Sequence, residues 1–527
     1  MFATAHTVAL RGAVGHLVDV QADVSPGQVG VTLVGRADAA LAEGKDRIRM
    51  AIINSGLEWP ATKRITISLS PADLPKSGSH YDLAMAMAVL AAFGAVDPEA
   101  IVATALIGEL ALDGGLRPVS GVLPMVMAAV QRGARRVVVP EPQAREAAMV
   151  PGTEVLGLRS LAQVVAELNG SEVPEAAPVP TLGGGRLLGW RGEDRREELD
   201  MADLLGMGEV RYAVEVAAAG GHHLLLTGPK GCGKTSIAER IPTILPDLDR
   251  DVAVELMAVQ SLAGVLDPAR GLLRRPPFAA PHHDASKASL VGGGVGRVRP
   301  GEISLAHGGV LFLDEFPMFR ADAIEALREP LESGDLTIAR AEESVTLPAR
   351  SIIVLAANPC PCGNYDADIG RDRCTCRDPE RRDYTRKVTG PITDRIDITR
   401  KVRPLKAHEF DPGGRPEDSA SIRARVTEAR RRQAERYADT GWRLNGQVSG
   451  AALREEWPLP EEAQVLIDKL VYAGKLTRRG AVRVHRLAWT VADLAGRPWP
   501  GAEETETALL LRTGQDLKVA TYMTRSA

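Results

Sequence analysis

The chain has 527 residues, 45% of them hydrophobic and 25% charged, with a formal net charge of −4. This length exceeds one core and asks for roughly three domains. The composition is that of a globular protein, and without a global basic signal any nucleic-acid contact must come from local patches. Met1-Phe2-Ala3-Thr4-Ala5-His6 lacks a charged region followed by an apolar stretch, so no signal peptide is expected. The longest apolar run, Leu83 to Val96, is too short to cross a bilayer and reads as a buried helix. Five cysteines outside any secretory context fit a reducing compartment. The expectation is a cytoplasmic protein with no membrane partner.

Residues 1–168 alternate strand-like runs with Ala-rich helical stretches, an α/β pattern. The runs are Leu17–Val20, Val29–Val34, Ile65–Leu69 and Arg136–Val139. Residues 169–186 are rich in Pro and Gly and read as a linker. Residues 187–403 form a nucleotide block. Residues 404–527 turn helical, with an arginine-dense helix predicted over Ser421 to Tyr437.

Gly228-Pro229-Lys230-Gly231-Cys232-Gly233-Lys234-Thr235 is a complete phosphate-binding loop. The apolar Leu224–Leu226 feeds it as a strand, and Ser236 to Arg240 reads as the opening of the next helix. Backbone N–H groups can close around phosphates there, while Lys234 reaches the β/γ-phosphates and Thr235 holds Mg²⁺. Cys232 reads as a small buried residue or a source of thiol sensitivity. The cofactors implied are ATP and Mg²⁺.

Val310–Leu313 is an apolar strand that delivers Asp314 and Glu315. Asp314 can complete the Mg²⁺ shell and Glu315 can polarise an attacking water, which makes the reaction ATP hydrolysis. With no lid for a metabolite, no small-molecule substrate besides ATP is expected. Ser351 to Ala357 reads as another buried strand, ending at Asn358, which either orients the lytic water or caps the turn at Pro359. Arg395, in Thr389 to Asp397, sits where a finger could reach a neighbouring subunit's γ-phosphate. A hairpin is predicted from Leu336–Ala339 and Val345–Leu347, with Arg340 near its tip. With Lys287, Arg297 and Arg299 it either lines a channel for a phosphate backbone or is a solvated hairpin.

Cys360-x-Cys362 and Cys374-x-Cys376 are separated by eleven residues, most of them polar. Either a tetrahedral four-thiolate Zn²⁺ clip orders this loop or the thiols are metal-free. His282 and His283 are adjacent, and their side chains are expected to point apart rather than share a metal.

Pro281-His282-His283-Asp284-Ala285-Ser286, Leu290 to Gly294, Arg299 to His307, the Asp314-Glu315 strand and Asn358 to Gly363 together resemble the ComM/YifB family of magnesium-chelatase-like AAA+ ATPases. The resemblance extends to Gly108-Glu109-Leu110 and to Arg478-Arg479-Gly480. It implies an α/β fold class with a Lon protease-like N-terminal domain, an AAA+ P-loop αβα core and a helical C-terminal domain. It also implies Walker A at Gly228–Thr235, Walker B at Asp314 and Glu315, sensor one at Asn358, a finger at Arg395, and sensor two at Arg479 with Arg483 in reserve. In the Lon-like block the serine position is held by His80 and the lysine position by Leu123, and no lysine would activate Ser79. That block reads as a binding or ring-organising module rather than a protease. Its Lys63, Arg64, Arg132, Arg135 and Arg136 are DNA contacts or simply solvated charges.

The function implied is a homo-oligomeric, hexameric motor acting on single-stranded or branched DNA, with branch migration or helicase activity in recombination or transformation. The alternative is a chelatase-type ATPase that remodels a protein partner for metal insertion.

Overall fold

The structure is a computed structural model describing residues 1–34, 39–76, 78–180, 199–294, 298–339, 344–365, 374–403 and 416–518. Ser77, Arg297, Arg340, linker residues 181–186 and loop residues 366–373 lie outside them.

The first block is built on seven strands: β1 (Phe2–Arg11), β2 (Val14–Ser25), β3 (Gly30–Val34), β4 (Arg64–Ser70), β5 (Thr104–Leu106), β6 (Arg136–Pro140) and β7 (Glu154–Leu158). Their order is β3-β4-β2-β1-β5-β6-β7. β1 and β2 are antiparallel, from Phe2 opposite Asp23 to Arg11 opposite Val14. β5, β6 and β7 run parallel. Helix α1 (Asp82–Phe93) is buried from Asp82 through Ala92, as its unbroken apolar run demands. Its one charge, Asp82, is paired with Arg47 Nε at 2.8 Å.

The middle block has five parallel strands: β8 (Leu224–Thr227), β9 (Phe278–Ala279), β10 (Val310–Leu313), β11 (Ile352–Ala357) and β12 (Ile398–Lys401). Their order is β9-β10-β11-β8-β12. Both faces of this sheet are covered, so β10 and β11 are buried at every residue, which is why they read as continuous apolar runs. The loop-bearing strand β8 lies between β11 and β12, so the phosphate loop opens at the C-terminal edge beside residues carried by its neighbours. The predicted hairpin is present as Asp335–Ala339 paired antiparallel with Ser344–Pro348.

The C-terminal block is helical, with α2 (Ser419–Arg436), α3 (Glu461–Tyr472), α4 (Arg478–Leu494) and α5 (Ala502–Thr513). It shares a hydrophobic core with the middle block. The buried Asp397 fastens the two together, accepting from Arg483 Nη1 at 2.7 Å and from the His223 backbone N–H at 2.9 Å. Asp394 adds contacts to Arg512 and Thr477.

The first and middle blocks meet around Glu146, a buried carboxylate. It accepts from the Leu123 backbone N–H at 3.0 Å and from Ser261 Oγ at 2.6 Å. Burial raises its pKa above the ordinary carboxylate value, and those two donors act against the rise.

Candidate nucleotide site

Gly228 and Gly233 shape the phosphate loop for different reasons. A Cβ on Gly228 would lie 2.1 Å from the carbonyl oxygen of Val402, so only glycine fits against that backbone. Gly233 has φ 92°, a left-handed turn that launches the next helix, Lys234–Ile244. The helix thus begins two residues before the expected Ser236, because the turn is completed at Gly233 and Lys234 is already helical. Its N-terminal amides face the loop, where an anion is favoured.

Lys234 is buried, and its Nζ donates to Gly228 O at 2.8 Å, Pro229 O at 2.8 Å and Asn358 Oδ1 at 2.9 Å. Thr235 Oγ1 donates to Asp314 Oδ2 at 2.9 Å. Asn358 Nδ2 donates to Glu315 Oε1 at 3.0 Å. The amide at the tip of β11 therefore touches both the loop lysine and the acid at the end of β10. Lys230 is exposed, whereas Cys232 is buried. Burial raises the Cys232 thiol pKa above its ordinary value, with nearby Lys234 opposing, which favours the small-residue reading over a reactive thiol.

Glu315 has φ 49° and ψ 41°, the only positive φ on a non-glycine among the described residues. A left-handed glutamate costs backbone energy, and such outliers gather at functional sites. The turn is supported by the Glu315 N–H donating to Asp314 Oδ1 at 2.9 Å. No sequence pattern announces this conformation.

Arg395 is buried in the helical turn Thr393–Arg395, where its Nε pairs with Glu332 at 2.7 Å and its Nη1 donates to Pro391 O at 2.9 Å. Of the two candidate arginines on α4, Arg483 is committed to Asp397, while Arg479 is exposed and makes no hydrogen bond or ion pair among the described residues. His282 and His283 do not point apart as expected. They occupy a turn, where strand alternation does not apply, and their ring centroids are 4.1 Å from each other.

The four loop cysteines converge. Cys360 Sγ lies 3.3 Å from Cys362 Sγ and 3.6 Å from Cys374 Sγ, and Cys362 to Cys374 is also 3.6 Å. All four sulfurs fall within 4.8 Å of one another. A tetrahedral ion with Zn–S bonds of about 2.3 Å needs sulfurs about 3.8 Å apart, so this donor set fits Zn²⁺. The Cys362 backbone N–H donates to Cys376 Sγ and the Cys376 N–H to Cys374 Sγ, both at 3.4 Å, as sulfurs acting as acceptors require.

At the expected dyad position, His80 is buried with Nε2 2.9 Å from Val8 O, Leu123 is buried, and Ser79 donates to Glu109. No amine stands beside that hydroxyl among its described partners.

A five-stranded parallel sheet carrying a glycine-rich phosphate loop, an Asp-Glu strand end and a polar amide on the neighbouring strand defines an AAA+ P-loop ATPase. A family model for magnesium chelatase, subunit ChlI, matches residues 200–410, one for subunit ChlI of Mg-chelatase matches 20–143, and one for its C-terminal part matches 416–512. An uncharacterized protein of Mycobacterium tuberculosis is 44% identical, covering 96% of this chain and 98% of that protein. Protein YifB of Escherichia coli is 39% identical over 93% and 92%, and competence protein ComM of Haemophilus influenzae is 36% identical over 94% of each chain. The chain belongs to the ComM/YifB family of magnesium-chelatase-like AAA+ ATPases. A shorter likeness, 24% over 169 residues, is to Lon protease 2 of Bacillus subtilis, in keeping with a Lon protease-like first block. No helix among the described residues is long and apolar enough to cross a membrane.

Proposed function

We propose that this chain is the subunit of a hexameric ATP-driven ring that moves DNA, with branch-migration or helicase activity. The observation that carries the hydrolytic part is Asn358 in contact with both Lys234 and Glu315. Lys234 and the loop amides bind the triphosphate, and Thr235 and Asp314 would hold Mg²⁺, which offsets phosphate charge when bound. Glu315 takes the proton of the attacking water, while Asn358 fixes that carboxylate and the water. Arg395 is supplied to the neighbouring subunit's γ-phosphate after exchanging Glu332 for it, and exposed Arg479 serves as sensor two. The four-cysteine cluster takes Zn²⁺. The three blocks, 1–168, 187–403 and 404–527, are the domains of the chain, the last two packed on a common core, with 169–186 linking the first to the second.

The DNA reading is supported by the similarity to a competence protein and by exposed Lys287 and Arg299 near the hairpin block. The chelatase-type alternative, remodelling of a protein partner for metal insertion, draws support from the magnesium-chelatase descriptions of the matching family models. Titrating ATPase activity with single-stranded, duplex and forked DNA, alongside native mass with ATP, separates the two. The DNA motor predicts a several-fold DNA-stimulated rate from a six-subunit species. A monomer with a rate indifferent to every DNA form ends it.

Lys234→Ala is expected to abolish nucleotide binding in a fluorescent-ATP titration, since it removes the buried ammonium of the loop. Arg395→Ala should bind ATP normally yet lose turnover by roughly 10³-fold, the scale of an arginine finger. Unchanged turnover would remove Arg395 from the site.

A further inference from the structure

The four cysteines sit closer to the chemistry than a remote structural clip would. Cys360 is two residues beyond Asn358, and Cys376 is joined through Arg377 to the helix Asp378–Val388. Residues 359–365 and 374–377 contain no helix or strand. The sulfur cluster therefore joins the end of β11 to the start of that helix.

Both ends bear on the nucleotide site. Gly363 has φ 81°, and a Cβ built there would come within 3.2 Å of Lys230 Cβ and 3.7 Å of Asn358 Cγ, so the cysteine knuckle lies directly on the phosphate loop. On the helix, Tyr384 is buried, and the Asn358 backbone acts on its hydroxyl to hold down the rise in pKa that burial causes. One turn on, Lys387 Nζ donates to Pro317 O at 3.2 Å, two residues past Glu315. The cysteine-bound segment thus touches the loop, the amide of β11 and the turn that carries the acid.

We propose that Zn²⁺ held by Cys360, Cys362, Cys374 and Cys376 is a positioning element of the nucleotide site, required for hydrolysis but not for ATP binding. This rests on the hydrolytic roles given above to Asn358 and Glu315. Binding converts four thiols and one Zn²⁺ into a tetrathiolate complex with release of four protons. Closing the loop this way removes conformational freedom from the stretch after Asn358 and fixes the amide between Lys234 and Glu315. Without the metal, the phosphate loop keeps its own backbone contacts, because Gly228, Gly233 and Lys234 are placed by β8 and its helix. Asn358 loses its rigid exit. The site then binds nucleotide but holds Glu315 and the attacking water loosely, and small misplacements of this kind are costly to turnover.

The test uses the full-length protein purified under reducing conditions. Metal is quantified by plasma mass spectrometry, then removed with a zinc-selective pyridyl chelator in excess Mg²⁺, and ATP affinity and kcat are measured before and after. The expected result is about one zinc per chain. Removal should change ATP affinity less than about twofold and lower kcat at least about tenfold, and added Zn²⁺, not further Mg²⁺, should restore it. Cys376→His, which keeps four ligands, should retain zinc and most turnover, whereas Cys376→Ser should lose both. Thermal melts confirm that each variant is folded, and the chelator experiment needs no variant at all. Protein without zinc overturns the metal site. Zinc that leaves without a change in kcat overturns the positioning role, as does a loss confined to ATP affinity. A zinc-loaded chain whose Glu315→Gln variant turns over normally defeats the underlying hydrolytic assignment instead.

Discussion

Glu315→Gln is expected to bind ATP like the parent protein and to hydrolyse it at least about 10²-fold more slowly, the usual contribution of a general base. The substitution keeps an oxygen that accepts from Asn358 Nδ2, now 3.0 Å from Glu315 Oε1, so the geometry of β11 and the phosphate loop is preserved. Glutamine meets the same left-handed backbone as glutamate at φ 49°, so stability should be unchanged. Only the basicity goes. Equilibrium binding of labelled ATP beside steady-state phosphate release separates the two properties. Parental turnover in the variant would leave the water without a base in this site, and the role of Glu315 would have to be abandoned.

Arg483→Ala is expected to be the most destabilising single change in the C-terminal block. Burial by itself would raise the pKa of Asp397, but the positive field of Arg483, helped by His222, His223 and Arg486, outweighs it and holds the carboxylate well below its ordinary range. A group depressed in this way contributes stability above its unfolded pKa, so the contribution is complete at neutral pH and is lost only in strong acid. Removing the arginine leaves a buried charge without its counter-ion, which costs about 3–5 kcal/mol. The first unfolding transition in urea should move to lower denaturant accordingly. Combining the change with Asp397→Asn should recover part of the loss, and a double variant no better than the single would show that the pair is not what stabilises the joint.

Much of the middle block was legible before any coordinates because its strands are buried on both faces. Leu224–Leu226, Val310–Leu313 and Ser351–Ala357 are unbroken or nearly unbroken apolar runs, and each leads into residue types that chemistry explains. The first block was harder. β1 spans Phe2–Arg11, but its buried apolar positions are Ala3, Ala5, Val8 and Ala9 among threonines, too small for a strong alternation signal. Its identity comes from ten-residue pairing with β2. Long-range polar joints were not legible at all. Asp397 and Arg483 are 86 residues apart, and either charge alone reads as surface. The expected divergence of His282 and His283 applied a strand rule to a turn. The choice between Arg479 and Arg483 needed the helix register, which decides which guanidinium is already occupied.

The Glu146 joint has a consequence for any attempt to engineer proteolysis into this scaffold. Leu123, which the sequence reading sets at the lysine position of a peptidase dyad, offers its backbone N–H to a carboxylate that is simultaneously gripped by Ser261 of the adjoining tier. A lysine installed at 123 would have to bury its amine in place of a leucine whose N–H already holds that acid, at a cost to the joint. The joint is masonry between storeys, and opening it would mean separating them.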